Sequence, residues 1–271
     1  MLRSFLILIA LIIFFSCQRS KYRGYTKTDS GMYYQIHFLG EGKRTPNAGD
    51  YAVFDLQLRN LGDTVLIELD SVLWVLDRTK DSCLHDALSM MRIGDSISFI
   101  YFDTIFKTET KHIVKLLKLQ TPKEYEDEQK YLEWKKRSEK KEKELLTDYL
   151  LKNDIEKKSA IQGIYFTTIK HGKGNYIQTG NVITIQYKGY FLDGTLFDSS
   201  YEANLPLEFT YGNPDQVIKG IEIGLSMMKN GGKAKIIIPS RLAFGDLGSS
   251  SGIVPPFTPV IFEVEVIRKE N

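Results

Sequence analysis

The chain has 271 residues, long for one small domain and sufficient for two. Hydrophobic residues make up 42% and charged residues 26%, so the chain can bury a core and is not disordered as a whole. Its 36 Lys and Arg against 34 Asp and Glu give a net charge of +2 with no one-signed tail, which argues against nucleic acid as a partner. Two cysteines and four histidines, with no His pair at ligand spacing, exclude a cysteine-rich zinc site and a disulfide scaffold. Neither a metal nor a cofactor is expected.

Residues 1–16 read as a signal peptide. Arg3 precedes an apolar run from Phe5 to Phe15. About eleven residues at 1.5 Å each cover roughly half of a ~30 Å hydrocarbon core, too little for a spanning helix. The run ends in Phe15-Ser16-Cys17-Gln18, a small residue and then a cysteine. This resembles the lipobox of bacterial lipoproteins. The resemblance implies acylation of Cys17, a membrane held through a lipid anchor, and, with Gln18 in place of an acidic residue, an outer-membrane lipoprotein facing the periplasm. A plain secretory signal with an incidental cysteine is the other reading. Residues 17–30 read as a tether, and Cys83, the second cysteine, is expected to be buried.

The rest of the sequence repeats itself. Gly31-Met-Tyr-Tyr34 matches Gly163-Ile-Tyr-Phe166, Gly40-Glu-Gly42 matches Gly172-Lys-Gly174, and Gly49 matches Gly180. Leu88-Ser-Met-Met91 matches Leu225-Ser-Met-Met228, each followed by a basic residue and, two positions later, a glycine. Two copies of one domain are expected, at 31–120 and 159–271. Each alternates apolar and polar residues with period two: Ala52, Phe54, Leu56, Leu58 and Ile97, Phe99, Tyr101 in the first, Ile183, Ile185, Tyr187, then Ala234, Ile236, Ile238, then Val260, Phe262, Val264, Val266 in the second. A short helix is predicted from Asp215 to about Met227. The fold class is α+β, two antiparallel sheets each wrapped on a short helix.

Between the copies, residues 121–158 read as a charged helical linker. Residues 123–158 hold eleven basic and eleven acidic residues and no Gly or Pro. Thr121-Pro122-Lys123-Glu124 supplies an N-cap, a proline at the first helical position and a capping-box Glu. Leu145, Leu146, Tyr149, Leu150 and Ile155 form an apolar stripe as the helix enters the second copy. The first half is expected to be solvated and the helix as a whole to act as a spacer, with Tyr131, Leu132 and Trp134 the face that a dimer would use.

A set of motifs in the second copy carries a family resemblance. Tyr187-Lys-Gly189, Asp193-Gly-Thr-Leu-Phe-Asp198-Ser-Ser200, Val217-Ile-Lys-Gly220, Ala243-Phe-Gly245 and Gly252-Ile-Val-Pro-Pro256 resemble, in order and spacing, an FKBP-type peptidyl-prolyl cis-trans isomerase. The resemblance implies that Tyr187, Phe197, Val217, Ile218 and Phe262 wall a proline pocket, and that the backbone N–H of Ile218 holds a substrate carbonyl. It implies that Asp198 lies at the pocket edge bonded to Tyr187, and that Val254 covers the bound peptide beside Ile253. Three positions depart from the family pattern. Ile221 stands where the pocket floor is commonly Trp, Leu207 replaces a frequent Phe, and Phe244 lacks a frequent Tyr hydroxyl. An altered peptide preference and weakened macrolide binding follow.

The first copy lacks these residues. Leu56 takes the position of Tyr187, Leu66-Ile67 that of Phe197-Asp198, and no Ile-Pro-Pro loop is present. It reads as noncatalytic. The whole chain reads as a membrane-anchored isomerase whose partners are proline-containing unfolded or nascent envelope proteins. A noncatalytic binding or chaperone lipoprotein, either a holdase or a part of a secretion or gliding machine, is the alternative.

Overall fold

The computed structural model describes residues 20–77, 79, 82–156 and 160–270. The expected signal peptide and Cys17 lie outside the described residues. Among those residues, no helix is long and apolar enough to cross a membrane. The chain divides into two compact units, one ending at Gln129 and the other beginning at Lys130.

The first unit is a six-stranded antiparallel sheet. Its strands are β1 (Thr26–Lys27), β2 (Tyr33–Phe38), β3 (Tyr51–Asn60), β4 (Val65–Val75), β5 (Ser96–Asp103) and β6 (Thr108–Gln120), in the order β1-β2-β5-β6-β3-β4. Helix α1 (Ser82–Ser89) buries Leu84, Ala87 and Leu88 against Phe54, Phe99 and Leu116. Alternation places Ala52, Phe54 and Leu58 of β3 in the interior, as the period-two pattern requires. Residues 21–27 are not a free tether. The Tyr22 ring meets Tyr33 edge-on at 5.0 Å, and the Tyr25 hydroxyl shares a 2.7 Å hydrogen bond with Ser98. Burying these aromatic faces ties the segment to the sheet edge. Cys83, expected to be buried, is only half-buried in the first turn of α1.

Helix α2 (Pro122–Lys152) opens with the capping box expected for it. The Thr121 N–H donates to Glu124 Oε2 at 2.7 Å and the Glu124 N–H to Thr121 Oγ1 at 3.2 Å. Within the first unit, Tyr125 stacks on Tyr51 with centroids 3.9 Å apart, and Glu128 accepts hydrogen bonds from Lys118 and Gln120.

The second unit holds β7 (Tyr165–Lys170), β8 (Lys173–Tyr176), β9 (Val182–Phe191), β10 (Leu196–Ser199), β11 (Leu207–Thr210), α3 (Lys219–Ser226), β12 (Lys229–Asn230), β13 (Lys233–Ile238) and β14 (Val260–Glu270). The main sheet runs β10-β9-β14-β13-β7, with β11 also paired to β9, and β8 pairs with β12. Helix α3 lies close on one face because Gly220 and Gly224 carry no side chain. A Cβ on either would come within 2.2 Å and 2.3 Å of Ile238 and Ile236. The helix starts at Lys219 rather than Asp215. Asp215 has φ +59° and Ile218 is extended, so the preceding residues turn instead.

The rest of α2 covers the other face of this sheet. Leu146, Tyr149, Leu150 and Ile155 pack on Tyr165, Ile237 and Ile261. Ile237 is therefore buried although simple alternation assigns it to solvent. The second half of α2 is thus part of the second unit's core and not a spacer, while Leu145 stays 49% exposed. Tyr131 and Trp134 also contact the loop 239–259, through Asp246 and Phe257, while Tyr131, Leu132 and Trp134 stay 43%, 48% and 38% exposed.

The two sheets have the same strand order, β2-β5-β6-β3-β4 answering β7-β13-β14-β9-β10. Their turns close alike. The Gly49 N–H donates to Leu76 O as that of Gly180 does to Tyr211 O, and the Gly94 N–H to Leu116 O as that of Gly231 does to Val266 O. All four glycines have positive φ, which explains why the repeat keeps them.

Candidate active site

The site begins on β9. Gly189 faces the Phe197 ring, and a Cβ there would lie 2.7 Å from Phe197 Cζ and 3.1 Å from Phe262 Cε1. Only glycine lets the ring lie against the strand. Phe197 then meets Phe262 edge-on at 5.7 Å, Phe191 at 5.0 Å and Phe244 edge-on at 6.3 Å. Tyr187 tilts against Phe262 at 5.9 Å. Tyr187, Leu207, Phe197, Val217, Ile218 and Phe244 are half-buried around a buried base of Ile221, Val254 and Phe262. The structure therefore gathers the expected wall residues on one apolar surface.

The Asp-Ser-Ser segment after Phe197 fixes its one charged group. Ser200 is buried; its hydroxyl accepts from the Tyr187 N–H at 2.8 Å and donates to Gln186. Its own N–H donates to Tyr187 O at 3.1 Å. Asp198, two residues earlier, is exposed and accepts a 2.9 Å hydrogen bond from the Tyr187 hydroxyl. Desolvation first, and then this bond, push the Tyr187 hydroxyl up to about 12, so it stays a donor at neutral pH. Ser200 was quoted in the motif without a role. A buried hydroxyl beside a strand is the signal that could have assigned one.

Ile218 is the N-cap residue of α3, with φ −61° and ψ 149° and no side-chain cap. The N–H groups at such a terminus have no partner within the helix, so they are donors for a ligand. The loop 239–259 supplies Phe244 and Val254. Val254 does not project as a cover. Ser249 accepts from its N–H at 2.8 Å and donates its own N–H to Val254 O at 2.8 Å, turning the side chain inward to 2% exposure. Ile253, beside it, is the outward residue at 56%.

Residues 173–267 match the family model for FKBP-type peptidyl-prolyl cis-trans isomerase. A FK506-binding protein of Neisseria meningitidis is 41% identical over 106 residues, 39% of this chain and 95% of that relative. This chain belongs to the FKBP-type peptidyl-prolyl cis-trans isomerase family. FkpA of Escherichia coli is 36% identical over 110 residues, 41% of this chain and 39% of that relative. FkpA of Buchnera aphidicola is 37% identical over 123 residues, and the chain spans 47% of its length. The solved structure of FkpA from Escherichia coli aligns at 27% identity with a TM-score of 0.40, over 55% of this chain and 73% of that one.

The second unit of this FKBP-type isomerase has the Phe197 ring seated on glycine, and the first unit has different residues at those positions. In β3 the partners of Leu58 are Ile67 and His112, as those of Gly189 are Asp198 and Phe262. Leu58 is buried where glycine makes room for Phe197, Ile67 replaces the carboxylate, and His112 replaces the aromatic wall. The hairpin between β5 and β6 spans only 104–107, so no loop brings counterparts of Phe244 and Val254.

Proposed function

We propose that this isomerase is anchored in the cell envelope through an acylated Cys17 and assists the folding of envelope proteins, binding X-Pro segments on the aromatic surface of the second unit. The barrier to rotation about an X-Pro bond is ~18–20 kcal/mol because the planar amide is resonance-stabilised. The twisted state has less charge separation, so an apolar surface that strips water from the amide favours it over the planar one. In this reading Tyr187, Phe197, Val217, Ile221, Phe244, Val254 and Phe262 enclose the prolyl ring. Leu207 and Ile253 touch flanking residues, the Ile218 N–H holds a carbonyl, and Asp198 fixes the pocket edge. No proton is transferred, and none of these steps needs a cofactor or metal.

The observation that carries the catalytic reading is the Phe197 ring seated over Gly189 beside the Tyr187–Asp198 hydrogen bond. The first unit is, in this reading, a degenerate copy of the isomerase domain, supported by its identical strand order and its filled pocket position. The anchor is supported by Ser16-Cys17 directly after the apolar run. Two acyl chains bind a membrane durably where one does not. Cys17→Ala should therefore move the protein to the soluble envelope fraction and remove acyl label. Retention in the membrane with label intact would refute the anchor.

A further inference from the structure

Phe244 and Val254, the two pocket residues carried by a loop, lie on the segment 239–259. α2 holds that loop from outside the pocket at three places, beside the approach of Arg241 and Leu242 to Gly163. The Glu142 carboxylate accepts from the Ser240 N–H and from the Ser240 hydroxyl, each at 2.6 Å, and Ser240 is buried. Asp246 accepts from the Tyr131 hydroxyl and from Lys135 Nζ, each at 3.1 Å, and Lys135 draws the Asp246 carboxyl below its usual range. The Trp134 ring meets Phe257 edge-on at 5.3 Å.

These anchor points are wired to the pocket wall by the loop's own backbone. The Ser240 carbonyl accepts from the N–H groups of Ala243 and Gly245, each at 2.8 Å, which fixes the short turn that presents Phe244. The Gly245 carbonyl in turn accepts from the Phe257 N–H at 2.9 Å, joining the two ends of the loop around Val254. A cleft of about 700 Å³ runs along the same contacts, lined by Lys135, Glu142, Ser240, Asp246 and Phe257 together with Glu139. The link between the loop and α2 therefore consists of a few directed contacts at the border of a cleft, while the loop's inner side packs on the core. Losing one frees a defined stretch of backbone.

We infer that Glu142, with Tyr131, Trp134 and Lys135, positions the 239–259 loop for proline binding, so that α2 sets the fraction of molecules whose pocket is closed. These are positioning residues, since none lies on the aromatic surface. A pocket that is competent only part of the time binds more weakly in proportion to that fraction, while the bound state turns over as before. The effect should therefore fall on KM and leave kcat nearly unchanged.

The test uses the full chain and a proline tetrapeptide substrate. Glu142→Ala should raise KM about fivefold or more with kcat within about twofold. In the same variant the Ala243, Gly245 and Phe257 amides should exchange hydrogen faster, while the Ile236 and Ile237 amides of β13 stay protected. Glu142→Gln should restore both readouts, because its amide oxygen accepts from the Ser240 N–H and its NH₂ donates to the Ser240 hydroxyl. Unchanged KM and loop exchange in a folded Glu142→Ala protein overturn the inference, as does loss of protection in β13 together with the loop. Should Glu142→Ala fail to fold, Trp134→Ala decides by the same two readouts.

Discussion

Gly189 and Phe197 are mutually required: the glycine leaves the space that the ring fills, 2.7 Å from where a Cβ would stand. The contact joins β9 to β10 and sets the depth at which the aromatic surface lies. Gly189→Ala should displace the ring and, as overpacking, cost about 1–3 kcal/mol of stability. The measurement is the isomerisation rate with near-UV circular dichroism. We expect kcat/KM to fall about tenfold or more, since each 1.36 kcal/mol of lost transition-state binding is tenfold. Full activity in a folded Gly189→Ala protein would show that the ring's seat is irrelevant to turnover.

Asp198→Val tests the pocket edge. It keeps approximate volume and removes the acceptor of the Tyr187 hydroxyl. The rate constant should fall several-fold with the fold intact, and full retention would leave apolar enclosure alone to explain catalysis. Because no proton moves, the wild-type rate should be flat between about pH 6 and 8, whereas a bell-shaped profile would point to general acid–base chemistry. The Tyr187 hydroxyl gives the alkaline counterpart. Its folded pKa, about 12, lies above the ordinary value of 10.0, so its contribution to stability is complete below pH 10. That contribution is lost as pH rises from 10 towards 12. Tyr187→Phe should lessen this alkaline loss in a pH series of thermal melts.

Phe197→Ala separates the two units. The first unit has Leu58 at the position of Gly189 and His112 at that of Phe262, so it lacks the seat of the Phe197 ring. Activity of the full chain should drop to background in this variant. The stability cost should stay below the ~3–5 kcal/mol of a fully buried ring, because Phe197 is only half-buried. Substantial residual activity would mean that the first unit is itself an isomerase.

The repeat and the period-two strands were legible because glycines at positive φ and inward apolar residues leave direct marks on a sequence. The register even places Ile67 opposite Leu58 as Asp198 lies opposite Gly189, the correspondence expected from motif spacing alone. Two motif glycines were legible for a related reason, as Gly189 and Gly220 each answer to a close approach. The apolar stripe from Leu145 to Ile155 was legible too, yet the helix was read as a spacer, because the sheet face that makes Leu146 to Ile155 part of the second unit's core cannot be read from a local pattern. The inward turn of Val254 was hidden too, since it follows from two hydrogen bonds with Ser249.

The packing of α2 makes a last prediction about where the isomerase unit begins. Leu150 is 2% exposed among Tyr165, Ile237 and Ile261, whereas Leu145, on the same helix, is 49% exposed. The chain has two tryptophans, Trp74 in the first unit and Trp134 in the second. In a Trp74→Phe background, fluorescence therefore reports the second unit through Trp134 at Phe257. Leu150→Ala should lower the unfolding free energy seen by this probe by about 2–5 kcal/mol, the cost of a large-to-small change in a core. With a urea slope of about 1–3 kcal/mol/M, the midpoint should fall by at least about 0.7 M. Leu145→Ala should change it by no more than about 0.5 kcal/mol. Equal, small effects from both substitutions would mean that α2 is a spacer after all, and that the isomerase unit is complete without it.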